Sequence, residues 1–261
     1  MSYQTIRIER EARGVAWLWL ARPEKHNAMS AEMIVELTQA AEELGGDEGI
    51  RAVVLAAEGE TFCAGGDLGW MRDQMEADAP TRRREARALA GMLGALDALP
   101  KPLIGRVQGN CFGGGVGLVA CCDQAFAATP VQMALTETRL GLIPATIGPY
   151  VVARTGPAGA RRIFFQGARF GTDEALRLDL LAGVVAPADL DAAIESALAP
   201  ILQTAPGAVA RAKVLARRLG NPPSAADIDH SIDELVACWE GREAREGIAA
   251  FFDRRKPHWQ S

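Results

Sequence analysis

Several residue types and motifs that mark common enzyme classes are scarce or missing in this chain of 261 residues. It has only three histidines, at positions 26, 230 and 258, and no Gly-x-Ser-x-Gly segment, so a Ser-His-Asp hydrolase is poorly supported. None of its four lysines follows a glycine, which argues against a Walker A loop for nucleotide phosphates. No dense cluster of histidines and carboxylates points to a metal site.

Cysteines are few and poorly spaced for cross-linking. The five cysteines are Cys63, Cys111, Cys121, Cys122 and Cys238. Their number is odd and no two are separated by two residues, so reduced thiols fit better than a disulfide framework or a zinc site. The first ten residues lack the apolar core of a signal peptide, and no uncharged apolar run reaches the about 18 residues of a membrane span. We therefore expect a cytoplasmic protein without membrane contact, and the net charge of −5 argues against a nucleic-acid partner.

Apolar residues make up 49% of the chain, and their spacing alternates between the periods of strands and helices. Helical spacing predicts helices at 30–44, from 67 onward, at 81–99, at 113–121 and through most of the chain beyond 156. Strands are predicted at 5–9, Val15–Leu20, Ala52–Ala57, Leu103–Val107, Gln124–Ala128 and 184–185. This order predicts an α/β fold with largely parallel strands in the first two thirds of the chain.

Two glycine-rich loops, at 59–66 and 113–117, each follow a predicted buried strand and lead into a helix, which is where α/β proteins bind ligands. The second loop lacks the Gly-x-Gly-x-x-Gly spacing of a dinucleotide site. Glycine lets the backbone approach a ligand closely, and N–H groups at the start of a helix are free. The two loops therefore predict a pair of donors for a carbonyl oxygen that becomes an enolate. The alternative is that they are only tight turns and close packing contacts.

Five segments, in the same order over nearly the whole chain, resemble the enoyl-CoA hydratase/isomerase (crotonase) family. The sequence Phe-Cys-Ala-Gly-Gly-Asp-Leu at 62–68 is similar to the first oxyanion loop of that family, and 101–115, ending in Phe-Gly-Gly-Gly, is similar to the second. The remaining similar segments are 22–28, 136–144 and 251–259. The resemblance implies a crotonase spiral of ββα units over residues 1–200, a C-terminal helical region over 201–261, and a trimer or dimer of trimers.

Carried over position by position, the resemblance implies that the N–H groups of Ala64 and Gly114 form the oxyanion hole and that Glu137 is the general acid/base. No separate cofactor or metal is implied, because CoA arrives as part of the acyl-CoA substrate. Asp67 is expected to cap the following helix, and Cys63 to be a small packing residue. The residues expected to contact the substrate or CoA are Lys25, His26, Ala28, Ala64, Gly65, Gly66, Asp67, Leu68, Gly113, Gly114, Gly117, Phe251, Arg254 and Lys256.

The chain departs from the family at Gly117, where hydratases with two carboxylates carry a glutamate. One carboxylate suits a Δ3-Δ2-enoyl-CoA isomerase, because a single base can shuttle a proton between two carbons. Segments 112–123, 144–152 and 67–71 are nevertheless similar to hydratases of carboxylated enoyl-CoA substrates in leucine and acyclic-terpene breakdown. We hypothesise that Arg72 or Arg139 pairs with the second carboxylate of such a substrate, the alternative being a surface ion pair. A non-catalytic acyl-CoA-binding or interaction module is the third hypothesis.

Overall fold

The computed structural model describes residues 3–220 and 222–260. Its larger sheet has six strands in the order β1-β2-β3-β5-β7-β10. The β1–β2 pair is an antiparallel hairpin, and the other neighbours in this sheet are parallel. These strands are β1 (Ile6–Arg10), β2 (Val15–Leu20), β3 (Ala52–Ala57), β5 (Leu103–Val107), β7 (Gln124–Ala128) and β10 (Gly183–Val185). All six residues of β3 are buried, as expected for a central parallel strand covered on both faces.

A second sheet has the order β4-β6-β8-β9, with only the β8–β9 pair antiparallel. Its strands are β4 (Thr61–Cys63), β6 (Asn110–Phe112), β8 (Gln132–Ala134) and β9 (Arg169–Gly171). The chain passes three times from a strand of the larger sheet to a strand of the smaller one and then into a helix or helical turn. This repeat is the predicted spiral of ββα units.

The helices cover the sheets and then continue as a C-terminal group. They are α1 (Ala31–Gly46), α2 (Leu68–Glu76), α3 (Ala79–Asp97), α4 (Gly114–Cys121), α5 (Gly148–Phe164), α6 (Thr172–Arg177), α7 (Leu190–Ile201), α8 (Pro206–Leu219), α9 (Ala225–Glu240) and α10 (Arg242–Phe252). The predicted caps are present, since Ser30 accepts the N–H of Met33 and Asp67 accepts the N–H of Gly69. None of the helices within the described residues is long and apolar enough to cross a membrane.

The predicted long strands agree with the structure, but the strands of the smaller sheet were not predicted. Each has three residues, too few for an apolar period to be recognised. Helix α1 also continues through Gly45 and Gly46, where the sequence predicts its end, because this exposed last turn needs no special backbone conformation.

The C-terminal helices pack on the same body as the sheets. Ile232 and Val236 of α9 are buried against Ala86 and Ala90 of α3. Helix α7 precedes this group and packs on the larger sheet, with Ile194 buried in the same cluster as strand residues of β2, β3 and β5. The domain boundary near residue 200 falls at the end of α7, and it stays a prediction.

Asn27 is fully buried and ties the segment before α1 to the loop after β3. Its side-chain oxygen accepts the N–H of Arg22 at 2.9 Å, and its side-chain nitrogen donates to the carbonyls of Glu58 and Thr61, both at 2.8 Å. Asn27 has a φ of 52°, a left-handed conformation that asparagine tolerates better than most residues. Segment 22–28 is thereby fixed against the first glycine loop.

We predict that Asn27→Ala lowers the free energy of unfolding by about 3 kcal/mol, because two buried carbonyls and one N–H lose their partner and alanine is less favourable at this φ. Urea denaturation followed by circular dichroism measures the change. Glu60→Ala removes an exposed side chain of the same loop and should stay within about 0.5 kcal/mol. A loss below about 1 kcal/mol for Asn27→Ala would contradict the role given to this side chain.

Candidate active site

The two glycine loops and the Glu137 turn face one cavity of about 450 Å³. Helices α2, α9 and α10 complete its wall through Trp70, Trp239 and Phe251. Eight of the residues predicted to form the site line this cavity. They are Ala64, Gly65, Gly66, Leu68, Gly113, Gly114, Glu137 and Phe251.

A larger groove of about 800 Å³ lies between α5 and α9. Its lining is mostly apolar, and its polar side chains are Thr138 and, from one face of α9, Asp227, His230, Ser231 and Glu234. Neither glycine loop reaches this groove, and Glu137 does not line it. We place the candidate active site in the smaller cavity because only that cavity combines free backbone donors with a buried carboxyl group.

Gly66 of the first glycine loop forms an isolated parallel β-bridge with Met29. Met29 donates its N–H to the carbonyl of Gly65 at 2.7 Å, and its own carbonyl accepts the N–H of Asp67 at 3.0 Å. The residue between two such bonded neighbours turns its own N–H and carbonyl to the opposite side. Gly66 is that residue. Its N–H has no hydrogen-bond partner among the described residues, and Gly66 lines the cavity.

The prediction that Ala64 supplies the first oxyanion donor is wrong for this structure. The N–H of Ala64 donates to the carbonyl of His26 at 3.0 Å and is therefore occupied. Gly65, between Ala64 and Gly66, has a φ of 95°, which breaks the regular alternation of an extended loop, so the motif alone does not say which N–H faces the cavity. The free donor lies two residues further along, at Gly66.

The second glycine loop supplies another free donor at the start of α4. Gly114 is the first residue of this helix, and its N–H has no partner within the described residues, as is usual for the first turn. A Cβ atom at Gly114 would lie only 1.8 Å from Cε of Met29. A side chain at this position would displace the end of the Met29 side chain, whereas glycine leaves the backbone at the cavity wall uncovered. The role of the Gly114 N–H as an oxyanion donor stays a prediction.

Glu137 begins a short 3-10 helix, Glu137–Leu140, that lies beside the second loop. A Cβ atom at Gly113 would come within 3.2 Å of its Oε1, which places the carboxyl group next to the free donor of Gly114. The other oxygen, Oε2, is buried without a hydrogen-bond partner. Burial raises the pKa of Glu137 from its ordinary value of 4.5 to about 7, so the group can both accept and donate a proton near neutral pH.

No second carboxylate fits at position 117. A Cβ atom at Gly117 would lie 2.5 Å from Cγ2 of Ile147 and 3.5 Å from Cδ1 of Leu93. Ile147 lines the cavity, whereas Gly117 does not. The space that a longer side chain at 117 would need is thus filled by apolar atoms, and Gly117 lies behind the cavity wall. The predicted contact between Gly117 and the substrate stays a prediction.

Trp70 is a cavity residue that was not among the predicted site residues. Its indole nitrogen is buried and has no hydrogen-bond partner, as is also true of Oε2 of Glu137. Unpaired buried polar atoms are rare, and those at a cavity point to a partner that a ligand or water supplies. The signal available in the sequence was its position four residues after Gly66, in the first turn of α2.

The remaining predicted contact residues lie outside the cavity lining. Lys25, His26, Arg254 and Lys256 are exposed on the surface. Asp67 caps α2 and forms an ion pair with Arg22 at 3.1 Å, and the Arg22 guanidinium also donates to the carbonyl of Ala28 at 2.8 Å. These two contacts hold the first glycine loop against segment 22–28. The contacts of Lys25, His26, Ala28, Asp67, Arg254 and Lys256 with CoA stay predictions.

Two arginines line the cavity, Arg139 and Arg169. The guanidinium of Arg169 lies 5.4 Å from the ring centroid of Phe112, and no carboxylate of the described residues pairs with either arginine. Arg72 does not line the cavity, because its guanidinium stacks on the ring of Phe252 at 4.5 Å. Of the two arginines proposed from the sequence, only Arg139 is placed to meet a ligand. Arg169 was missed, because it follows no recognisable motif.

Metal and thiol chemistry find little support in this part of the chain. Over residues 3–220 and 222–260, no three His, Cys, Asp or Glu side chains come together as metal ligands. Cys63 is fully buried, and burial raises the pKa of its thiol to about 12. A thiol in that environment is not a nucleophile near neutral pH, so the prediction that Cys63 is a packing residue is confirmed.

Comparison with known proteins gives one consistent result. A family model described as "Enoyl-CoA hydratase/isomerase" matches residues 10–261. The crotonyl-CoA hydratase of Syntrophomonas wolfei is 29% identical over 268 aligned positions, covering 100% of both chains. The crystal structure of an enoyl-CoA hydratase from Mycobacterium avium matches with a TM-score of 0.87 at 30% identity over 98% of each chain. Pseudomonas aeruginosa AtuE matches with a TM-score of 0.81 at 37% identity, over 99% of this chain and 100% of its own. The structural matches confirm the predicted fold.

The raised pKa of Glu137 predicts how stability depends on pH. A carboxyl group with a higher pKa in the folded state loses its contribution to stability as the pH rises through the folded value. A rise from 4.5 to about 7 corresponds to about 3 kcal/mol. We therefore predict that Glu137→Gln, which cannot ionise, is more stable than the parent by up to about 3 kcal/mol at about pH 9, and by much less near about pH 5.

Urea denaturation of both proteins at the two pH values measures this difference. Glu60→Gln makes the same chemical change on an exposed side chain and should show no such pH dependence. A constant difference between Glu137→Gln and the parent across this pH range would mean that the carboxyl group is not buried in solution.

Proposed function

The chain belongs to the enoyl-CoA hydratase/isomerase family, and we propose that it is an enoyl-CoA hydratase, a hydro-lyase that adds water across the 2,3 double bond of an acyl thioester. The observation that carries this proposal is the meeting, in one cavity, of a buried carboxyl group with two backbone N–H groups that have no partner. The name of the crotonyl-CoA hydratase of Syntrophomonas wolfei supports the same activity.

The two free N–H groups, from Gly66 and Gly114, are proposed to hold the thioester carbonyl oxygen. When water attacks C3, negative charge moves onto this oxygen and an enolate forms. Donors already in place stabilise that charge without having to reorganise, and each is worth about 10²- to 10³-fold in rate. The donor from Gly114 also lies at the positive end of α4, which favours the developing anion.

Glu137 is proposed to serve both proton transfers. As a carboxylate it accepts a proton from the attacking water, whose oxygen bonds to C3. As the resulting carboxylic acid it returns that proton to C2 of the enolate, so that one molecule of water is added in total. A pKa of about 7 suits a group that changes protonation state twice in each turnover. The unpaired N–H of Trp70 offers a further donor to an oxygen bound in the cavity.

The remaining expectations about partners follow from the family. CoA is part of the substrate, and the exposed cations Lys25, Arg254 and Lys256 are proposed to meet its phosphates. Assembly into a trimer or dimer of trimers is proposed from the resemblance described above.

A Δ3-Δ2-enoyl-CoA isomerase is the second candidate, and one observation favours it. Ile147 and Leu93 fill the space beside Gly117, and Glu137 is the only carboxyl group among the described residues that line the cavity. Isomerisation requires one base that removes a proton from C2 and returns it to C4, with no water. The hydratase proposal takes precedence because the relatives from Syntrophomonas wolfei and Mycobacterium avium reported above are both named hydratases.

Glu137→Gln is the variant that tests whether the cavity is catalytic. We predict that it lowers kcat for hydration of crotonyl-CoA by about 10²- to 10⁴-fold, while the Kd for CoA thioesters changes little. Loss of the ultraviolet absorbance of the conjugated thioester measures the reaction. A non-catalytic binding module would show no hydration in the parent and no effect of the variant. If the parent instead raises the absorbance of a 3-enoyl-CoA and leaves crotonyl-CoA unchanged, the isomerase replaces the hydratase.

A carboxylated substrate such as 3-methylglutaconyl-CoA is the finer proposal. Its support is Arg139, an arginine on the cavity wall with no carboxylate partner. A planar guanidinium binds a carboxylate with two parallel hydrogen bonds and discriminates against a substrate that lacks it.

We predict that Arg139→Ala raises KM for 3-methylglutaconyl-CoA at least about 10-fold and leaves KM for crotonyl-CoA within about 2-fold, as expected when one charge-assisted contact is lost. Arg72→Ala is the matched control, since Arg72 stacks on Phe252 outside the cavity lining and should change neither value. Equal effects of Arg139→Ala on both substrates would remove the second carboxylate from the account and leave the hydratase proposal intact.

A further inference from the structure

Helix α10 and the Glu137 turn meet through two glycines. A Cβ atom at Gly141, the residue after the 3-10 helix, would lie 2.3 Å from the carbonyl carbon of Glu243 and 2.5 Å from the nitrogen of Ala244. A Cβ atom at Gly247 would lie 2.5 Å from the carbonyl carbon and oxygen of Leu140. Each glycine therefore faces the backbone of the other segment, and no side chain separates them. We call the packing of Gly141 against Glu243 and Ala244, together with that of Gly247 against Leu140, the glycine seam.

The surroundings of the glycine seam keep α10 in place. Leu142, which follows the seam, is buried in one apolar cluster with Trp239, Ala244 and Ile248. The N–H of Leu142 also donates to the carbonyl of Glu137 at 3.0 Å. A displacement of α10 would therefore also displace Glu137, because only a short helical turn connects Glu137 to the residues that contact α10. Such backbone-to-backbone packing leaves no flexible side chain that can absorb a shift.

We propose that the glycine seam is a positioning device for the catalytic carboxyl group: α10 holds the turn that carries Glu137 at the correct place and separates that turn from bulk solvent. Gly247 and Gly141 are the positioning residues, and neither touches the substrate. The inference rests on the proposed function for its catalytic part, while its structural part concerns only the enclosure of Glu137.

Three charged side chains of the packed elements lie near this turn: Arg139 on the turn itself, Glu243 on α10 and Arg169 on β9. None of them contributes to the raised pKa of Glu137, which burial alone causes. A change in the burial of Glu137 should therefore appear directly as a change in its pKa.

Gly247→Ala is the variant that opens the glycine seam. Alanine favours the helical conformation of α10, so the helix itself is not weakened, but the new Cβ forces α10 away from Leu140. We expect kcat for hydration to fall about 10- to 100-fold, with a smaller change in KM, because small displacements of a catalytic group are costly. The midpoint of the pH–kcat profile should move down by about one unit, toward the ordinary value of a glutamate.

Two control variants separate positioning from stability. Gly91→Ala is the same change in the middle of α3, where a Cβ meets nothing within 4 Å, and should leave kcat and the pH midpoint unchanged. Ile248→Val removes one methyl group from the apolar cluster under α10 and leaves the glycine seam unchanged. It should lower the free energy of unfolding, while kcat and the pH midpoint stay as in the parent. If Gly247→Ala does not fold, Gly141→Ala opens the same seam from the other side. Gly141 has a φ of 72°, so Gly156→Ala, with a φ of 68° and nothing within 4 Å of its Cβ, is the control for backbone strain.

A measurement independent of activity distinguishes failure of this inference from failure of the proposed function. The pH-dependent difference in stability between Glu137→Gln and its parent should shrink when both proteins also carry Gly247→Ala, whether or not the chain is a hydratase. A Gly247→Ala protein with the kcat, the pH midpoint and the pH-dependent stability of the parent would overturn the inference. Loss of stability alone, with both kinetic values unchanged, would overturn it equally and leave α10 a structural helix.

Discussion

The site depends on a rigid backbone that leaves polar groups facing the cavity without a protein partner. An unsatisfied buried polar atom costs about 1–3 kcal/mol, and Oε2 of Glu137 and the indole nitrogen of Trp70 are two such atoms. The N–H groups of Gly66 and Gly114 and the Oε2 of Glu137 have no partner among the described residues. They stay in place because the surrounding backbone is fixed: the Met29 bridge holds the first loop, Cε of Met29 packs against the second, and α10 covers the Glu137 turn. Unpaired groups held in this way are ready for charge that develops on a ligand.

The sequence predicted the architecture and most of the residues that line the cavity, but not which N–H of the first glycine loop has no partner there. The order of strands, glycine loops and helices followed from local periodicity and turn residues, which are short-range properties. Which N–H faces the cavity is a different kind of fact, since it depends on the partner strand that occupies the other side. The His26 carbonyl takes the N–H of Ala64, and Met29 orients Gly66. Both partners lie more than thirty positions away in the chain, beyond what a loop motif records.

The missed residues share this cause. Ile147 fills the space beside Gly117 from a loop thirty residues further along the chain, and Arg169 reaches the cavity from a three-residue strand. Neither residue lies in a recognisable motif, because each is brought to the site only by the tertiary structure. Gly117 itself was recognised as a departure from the family, and the structure adds that the vacated space is apolar. Among the described residues that line the cavity, Glu137 supplies the only carboxyl group, which is why the proposed mechanism gives both proton transfers to it.

The most direct test of this account is a crystal structure with bound butyryl-CoA, a saturated thioester that has no double bond to hydrate. The account predicts that the thioester oxygen lies within hydrogen-bonding distance of the Gly66 and Gly114 nitrogens, with C2 and C3 facing the carboxyl group of Glu137. The Ala64 nitrogen should still donate to His26. A thioester oxygen bound to the Ala64 nitrogen, or an acyl chain seated in the groove between α5 and α9, would contradict the assignment of the site.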